Sequence, residues 1–174
     1  MTDQIPPFKS GLVFRLKAFI RKPSMGISLE IFTDKVAESA QTLIRRAYEE
    51  ARSRNDGEIR PHHALIAFST TEAVLFDRLM NMLTLDRAAV LESVAGNPNQ
   101  DAPQNEGMKI SREFSELMMA GLKHARENGR RLIESIDILY ALVADNRGSV
   151  VRLFGQLGAD QQSVLGHIRE LTRQ

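Results

Sequence analysis

No cysteine occurs among the 174 residues, so disulfides, thiolate metal ligands and thiol nucleophiles are all excluded. Tryptophan is also missing and aromatics make up only 6%, so any core has to be built mainly from aliphatic side chains. No apolar run approaches the roughly 20 residues of a membrane span. Arg15 and Lys17 interrupt residues 12–20 too early for a secretory h-region. The chain has no G-x-x-x-x-G-K-[ST] loop to cradle a phosphate and no G-x-S-x-G elbow to present a serine. What is present is 43% hydrophobic and 26% charged, and rich in Ala, Leu, Arg and Glu. That is the composition of a soluble, helical chain, and the lack of cysteine fits a cytoplasmic location.

The chain repeats itself. Shifted by 74 residues along its own length, Val36 lands on Ile110, Leu43-Ile44 on Leu117-Met118, and Ala51-Arg52 on Ala125-Arg126. Without a gap, Ile59 then meets Ile133, Leu65 meets Leu139, Arg78-Leu79 meets Arg152-Leu153, and Asp86 meets Asp160. Self-similarity at a fixed period sets architecture before local propensity does. The expectation is two tandem four-helix units and no sheet. Repeat one spans about 32–95, a polar linker 96–107 (GNPNQDAPQNEG), and repeat two about 108–172.

Ahead of the repeats, Lys9, Arg15, Lys17, Arg21 and Lys22 against Asp3 give residues 1–27 a net charge of +4, leaving −3 for the remainder. In residues 11–22, Leu12, Leu16, Phe19 and Ile20 share one helical face with cations on the others. This stretch reads as a basic amphipathic arm. A tail, a helix docking on a partner or neighbouring protomer, and a weak anchor on anionic lipid are its competing readings. Basic, acid-poor N-termini also serve as organelle transit sequences.

In repeat one, Val36, Ala40, Leu43-Ile44, Ala47 and Ala51 predict a helix over about 33–55, stopped by Asp56-Gly57. Pro61 suits the first turn of a second helix over 61–69. A third follows over about 72–83, and Asp86 caps a fourth that ends near Gly96. In repeat two, Ser111 and Ser135 are the expected caps of the first and second helices, and Asn146-Arg147-Gly148 and Gly158-Ala159-Asp160 introduce the last two. Leu79 and its match Leu153 are both expected in the core.

Sites with an obvious chemistry are few. Adjacent helical residues diverge by about 100°, so His62-His63 should not converge on one ion, and no metal or cofactor is expected. Glu49-Glu50 falls among Arg45, Arg46 and Arg52 at spacings of solvated pairs rather than of an acid/base couple. A mildly acidic body gives no electrostatic footprint for nucleic acid.

Residues 128–160, NGRRLIESIDILYALVADNRGSVVRLFGQLGAD, and their weaker copies GEIRPHHALIAF at 57–68 and FDRLMNMLTLD at 76–86 resemble the repeat of the Clp ATPase N-terminal domain. The resemblance covers about residues 32–172 and implies an all-α, pseudo-twofold module. In that family the module stands before AAA+ unfoldase rings and captures substrates or adaptor proteins. Here it would be free-standing, without the ATPase. The family's groove between repeats is lined from the helix starts, which makes Phe32, Val36, Met108 and Ile110 candidates. Ala37 and Ser111 match its Phe-Thr phrase. Its Thr-Glu-His phrase falls on Pro61-His62-His63 and Ser135-Ile136-Asp137. His62 and Ile136 replace the acid that helps some members read phosphorylated arginine, so that ligand is not carried over. The competing reading of Phe32, Val36, Met108 and Ile110 is ordinary inter-repeat core, and that of His62-His63 is a partly exposed helix start.

Two functions follow as expectations. The first is a non-catalytic module that binds unfolded or adaptor polypeptides, in quality control or regulated proteolysis, with a Clp-type AAA+ ATPase as a further partner. The alternative places the work in the basic arm, on a membrane surface or nucleic acid, with the repeats as scaffold.

Overall fold

The computed structural model describes residues 34–96 and 108–172. The amphipathic arm, Phe32 and residues 97–107 of the linker lie outside this range. The described residues form eight helices: α1 (Glu38–Ser53), α2 (Pro61–Thr71), α3 (Ala73–Met82), α4 (Arg87–Ala95), α5 (Arg112–Glu127), α6 (Ser135–Ala144), α7 (Ser149–Gln156) and α8 (Gln161–Thr172). Two short strands, β1 (Glu58–Ile59) and β2 (Lys109–Ile110), complete the set.

The helices follow the apolar spacing. α1 buries Ala40, Leu43, Ile44, Ala47 and Ala51, one stripe at helical period. Asp86 accepts the amides of Ala88 and Ala89 to start α4, and Ser111 Oγ accepts the Phe114 amide to start α5. Ser135, in contrast, is the first residue of α6 rather than its cap.

The strands correct the expectation of no sheet. β1 and β2 pair in parallel, Ile59 opposite Ile110, and Val36 makes an isolated parallel bridge with Ile133. Both pairings join one repeat to the other, and the 74-residue offset exchanges them: Val36 matches Ile110, and Ile59 matches Ile133. Because the Ala37 amide is donated to the Ile133 carbonyl at 2.8 Å, α1 begins at Glu38, later than the apolar pattern alone suggests.

Turns repeat as well. Asn55 (φ 58°) and Thr84 (φ 53°) are the left-handed residues other than glycine among those described, and their matches are Gly129 (φ 71°) and Gly158 (φ 91°). Repeat two places glycine, which has no Cβ to clash, where repeat one carries side chains.

α2 and α6 are the central helices. α2 lies on α1 and α6 on α5, while across the repeats α2 touches α6, α3 lies on α8 and α4 on α7. One continuous apolar cluster therefore contains Leu43, Leu65, Phe68 and Phe76 together with Phe114, Met118, Leu139 and Phe154. Leu79 is fully buried in it, as expected. Leu153 is only half-buried, because the neighbouring Phe154 occupies the inward position of α7.

Candidate functional site: the two inter-repeat junctions

Each cross-repeat pairing seats the start of one repeat's first helix against the start of the other's second helix. The candidate residues divide between these two junctions. In the first, Ile133 donates its amide to the Lys35 carbonyl at 2.7 Å, which sets Val36 and Ala37 beside the entry to α6. The Ser135 amide then donates to Ser39 Oγ at 3.2 Å, and Ser135 Oγ donates to Glu72 Oε1 at 2.6 Å. One serine thus ties α1, the α2–α3 turn and α6 together. In the second junction, Lys109 and Ser111 donate their amides to the carbonyls of Gly57 and Ile59, each at 3.0 Å. This brings Met108, Ile110 and Ser111 to the start of α2, where His62 sits.

Burial separates the candidates. Val36, Ser111 and Ile136 are buried, whereas Ala37, His62, Met108 and Ile110 keep part of their surface. Large apolar exposure among the described residues falls on Val74, Met119 and Leu132. Val74, 74% exposed, opens α3 two residues after Glu72, and Leu132, 43% exposed, precedes Ile133. Leu132 adjoins the Val36–Ile133 bridge, and Val74 follows the Glu72 that Ser135 binds. Nothing in the local pattern of either segment would have flagged them, since their neighbourhood is created by pairing across the repeats.

Beneath the junctions, α2 and α6 are started by the same device with the acid and its partner exchanged between the two positions. In repeat one, His63 Nδ1 accepts the Arg60 amide at 3.0 Å while its Nε2 donates to Asp56 Oδ2 at 2.8 Å. In repeat two, Asp137 Oδ2 accepts the Glu134 amide at 2.9 Å, and Asp137 Oδ1 accepts from His124 Nδ1 at 2.7 Å and from Arg130 Nη2. His63 matches Asp137 and Asp56 matches Arg130 under the offset. Each pair buries its inner member completely. Arg130 Nε has no hydrogen-bond partner among the described residues, although Glu134 Oε2 lies 4.0 Å away. Tyr140 stacks on His124 with ring centres 3.7 Å apart, closing the network from the side.

The histidine pair corrects the expectation of divergence. Although both residues lie in the first turn of α2, their rings reach the same carboxylate in the preceding loop: both Nε2 atoms approach Asp56 Oδ2, His63 at 2.8 Å and His62 at 4.0 Å. Asp56, His62 and His63 offer three metal-type donor atoms within 4.8 Å of one another. The tautomer limits that use. The Arg60 amide requires the lone pair on His63 Nδ1, so the neutral ring carries its proton on Nε2, pointing at Asp56. An ion there would have to displace that proton and the cap with it. Burial, reinforced by His63 and the nearby Arg60 and Arg54, holds His62 well below its usual pKa of 6.5, at about 4 despite Asp56. Burial also lowers His63, against the pull of its Asp56 hydrogen bond. Both rings are neutral near pH 7.

Comparison with known proteins agrees with this geometry. The Clp repeat (R) N-terminal domain family matches residues 35–157. Among solved structures, the Hsp104 N-terminal domain from Candida albicans superposes with a TM-score of 0.68 at 21% identity, over 79% of this chain and 91% of that one. The N-terminal domain of the caseinolytic protease associated chaperone ClpD from Arabidopsis thaliana gives 0.59 at 20% identity, over 80% and 97%. The N-terminal domain of ClpV1 ATPase from the type VI secretion system of E. coli EAEC gives 0.61 at 20%, over 81% and 88%. These identities establish the fold alone. No curated protein sequence matches the chain. With the family match covering most of its length, the chain belongs to the Clp repeat N-terminal domain family.

Proposed function

We propose that the chain is a non-catalytic polypeptide-binding module that uses an inter-repeat junction to hold apolar segments of an unfolded protein or an adaptor. The observation that carries this reading is the exposed Leu132 beside the part-exposed Ala37, which the Ala37–Ile133 hydrogen bond brings together across the repeats. Apolar side chains of a ligand would bury against Leu132 and Ala37, while Ser39 and Glu72 meet its backbone or its cations. Hydrophobic contact with few polar anchors gives modest affinity and broad selectivity. Family membership supports the same reading, and it makes a Clp-type AAA+ ATPase the natural partner, in quality control or regulated proteolysis.

The test is binding of a fluorescent, permanently unfolded polypeptide (reduced, carboxymethylated lactalbumin) to the full chain. Leu132→Asp and Ala37→Glu should weaken binding about tenfold or more without changing the melting temperature appreciably. Wild-type affinity in both variants would refute the assignment. Val36→Asp is the wrong probe, because Val36 is buried in the bridge with Ile133 and an acid there attacks the fold itself.

A further inference from the structure

We propose that Asp56, His62 and His63 form a binding site for one divalent transition-metal ion of the zinc class, where the chain enters α2. The three side chains offer donor atoms within 4.8 Å of one another. His63 Nε2 lies 2.8 Å and His62 Nε2 4.0 Å from Asp56 Oδ2. In a tetrahedral zinc site the ligand atoms stand about 3.3 Å apart, so shifts of roughly half an ångström bring this set into register. Two imidazoles and one carboxylate suit zinc, cobalt, nickel or copper, not the all-oxygen shells of magnesium or calcium. Asp56 and His62 keep 17% and 27% of their side-chain surface while His63 keeps none. An ion can therefore enter from solvent and hold water at its remaining position.

The two repeats separate this donor set from the needs of the fold. The cap of α2 uses only the bonds of His63 to the Arg60 amide and to Asp56, and His62 takes part in neither. In repeat two the matching residues are Arg130, Ile136 and Asp137, which supply one metal-type donor instead of three. The same helix start is thus built there with isoleucine at the His62 position. Only repeat one stacks a second imidazole on the buried pair, with the His62 and His63 ring centres 4.0 Å apart. Nearby cations are already matched. Arg54 binds Glu50 at 2.7 Å and the Ala95 carbonyl, and Arg60 lies 3.5 Å from Glu58.

Binding exchanges partners in a defined way. The proton on His63 Nε2 leaves, the Nε2 lone pair forms the metal bond, and a proton returns to Nδ1, so the ring stays neutral. Nδ1 then carries a hydrogen where it had accepted the Arg60 amide, and that cap bond is lost. Asp56 gives up its hydrogen bond from His63 and coordinates through Oδ2. His62 coordinates through Nε2 with its own proton on Nδ1. Loss of one cap of ordinary strength weakens the site roughly tenfold against one with the cap intact. The ion also acts next to the second junction, because Asp56 precedes Gly57, whose carbonyl accepts the Lys109 amide.

The test uses the tag-free full chain, whose other histidines are His124 and His167. Titrated with Co2+ at pH 7.5, it should bind one ion per chain with the visible absorption of a four- or five-coordinate site, and Zn2+ should bleach that absorption. His62→Asn should weaken binding by about tenfold or more while leaving the metal-free melting temperature near that of the wild type. Asp56→Asn should weaken binding as well; because Asp56 also serves the cap, His62→Asn is the deciding variant. His167→Asn should leave the affinity unchanged. In amide NMR, Zn2+ should move the Arg60 amide proton upfield as its bond to Nδ1 breaks. No binding, equal affinities in wild type and His62→Asn, equal losses in His62→Asn and His167→Asn, or an Arg60 amide unmoved at saturation would each overturn the proposal.

Discussion

Replacing Asp137 with alanine should be among the most damaging single changes in this protein. The carboxylate is fully buried and accepts three donors: the Glu134 amide that begins α6, the His124 ring and the Arg130 guanidinium. Removing one member of a buried ion pair costs about 3–5 kcal/mol, chiefly because the remaining groups stay desolvated. Arg130 keeps 24% of its side-chain surface and lies 4.0 Å from Glu134, so it recovers some solvation, and the lower end, about 3 kcal/mol, is the better figure. For a body of this size, that lowers the melting temperature by about 10 °C. The matched change in repeat one, Asp56→Ala, removes a single hydrogen bond to a neutral His63 and should cost only about 1–1.5 kcal/mol. Circular dichroism at 222 nm during thermal and urea unfolding at pH 7.5 measures both. Equal losses for Asp137→Ala and Asp56→Ala, or less than about 1 kcal/mol for Asp137→Ala, would refute the description of the α6 network.

Other outcomes follow from the same structure. Thr84 holds a left-handed φ where its match is Gly158, so Thr84→Gly should stabilise by about 0.5–1 kcal/mol and Gly158→Thr should destabilise by about 1–2 kcal/mol in urea titrations. Leu79→Ala should cost about 2–5 kcal/mol, and Leu153→Ala, half-buried, about 1 kcal/mol; equal losses would contradict the different burial of the two. His62 and His63 both have folded pKa values below their unfolded ones, so between those values the unfolded chain binds more protons. Stability should be complete above about pH 6.5 and fall as pH drops toward 4, by up to about 1.4 kcal/mol per pH unit for each histidine. His62→Asn should flatten that slope in urea titrations at pH 7.5, 6 and 5.

Helices were legible in the sequence because each is written locally. The stripe from Ala40 to Ala51, Pro61 at the start of α2, and the oxygens of Asp86 and Ser111 are all readable within a few residues of where they act. The junctions were legible only in part. The resemblance to the Clp N-terminal repeat named Val36, Ile110, His62 and Ile136, but not which would be covered. Burial of Val36 is decided by Ile133, far along the chain. The exposure of Leu132 and Val74, the role of Ser135 as a tie to Ser39 and Glu72, and the convergence of His62 and His63 on Asp56 depend on distant partners or on a helix start. Periodicity carries no information about such contacts. The left-handed turns show the reverse case: Gly129 and Gly158 identify the positions in repeat two, and the offset transfers them to Asn55 and Thr84.

The pairing of Val36 with Ile133 also governs how this protein is made. A ribosome adding about 5–20 residues per second needs on the order of 5–20 s after residue 36 to deliver its partner, nearly a hundred residues later. Through that interval the leading half is a nascent chain with an unfinished seam, and Ile110, the partner of Ile59 in the second seam, is translated earlier than Ile133. Completion of the molecule therefore waits for translation of α6, and factors that shield emerging polypeptides have their opportunity in that window.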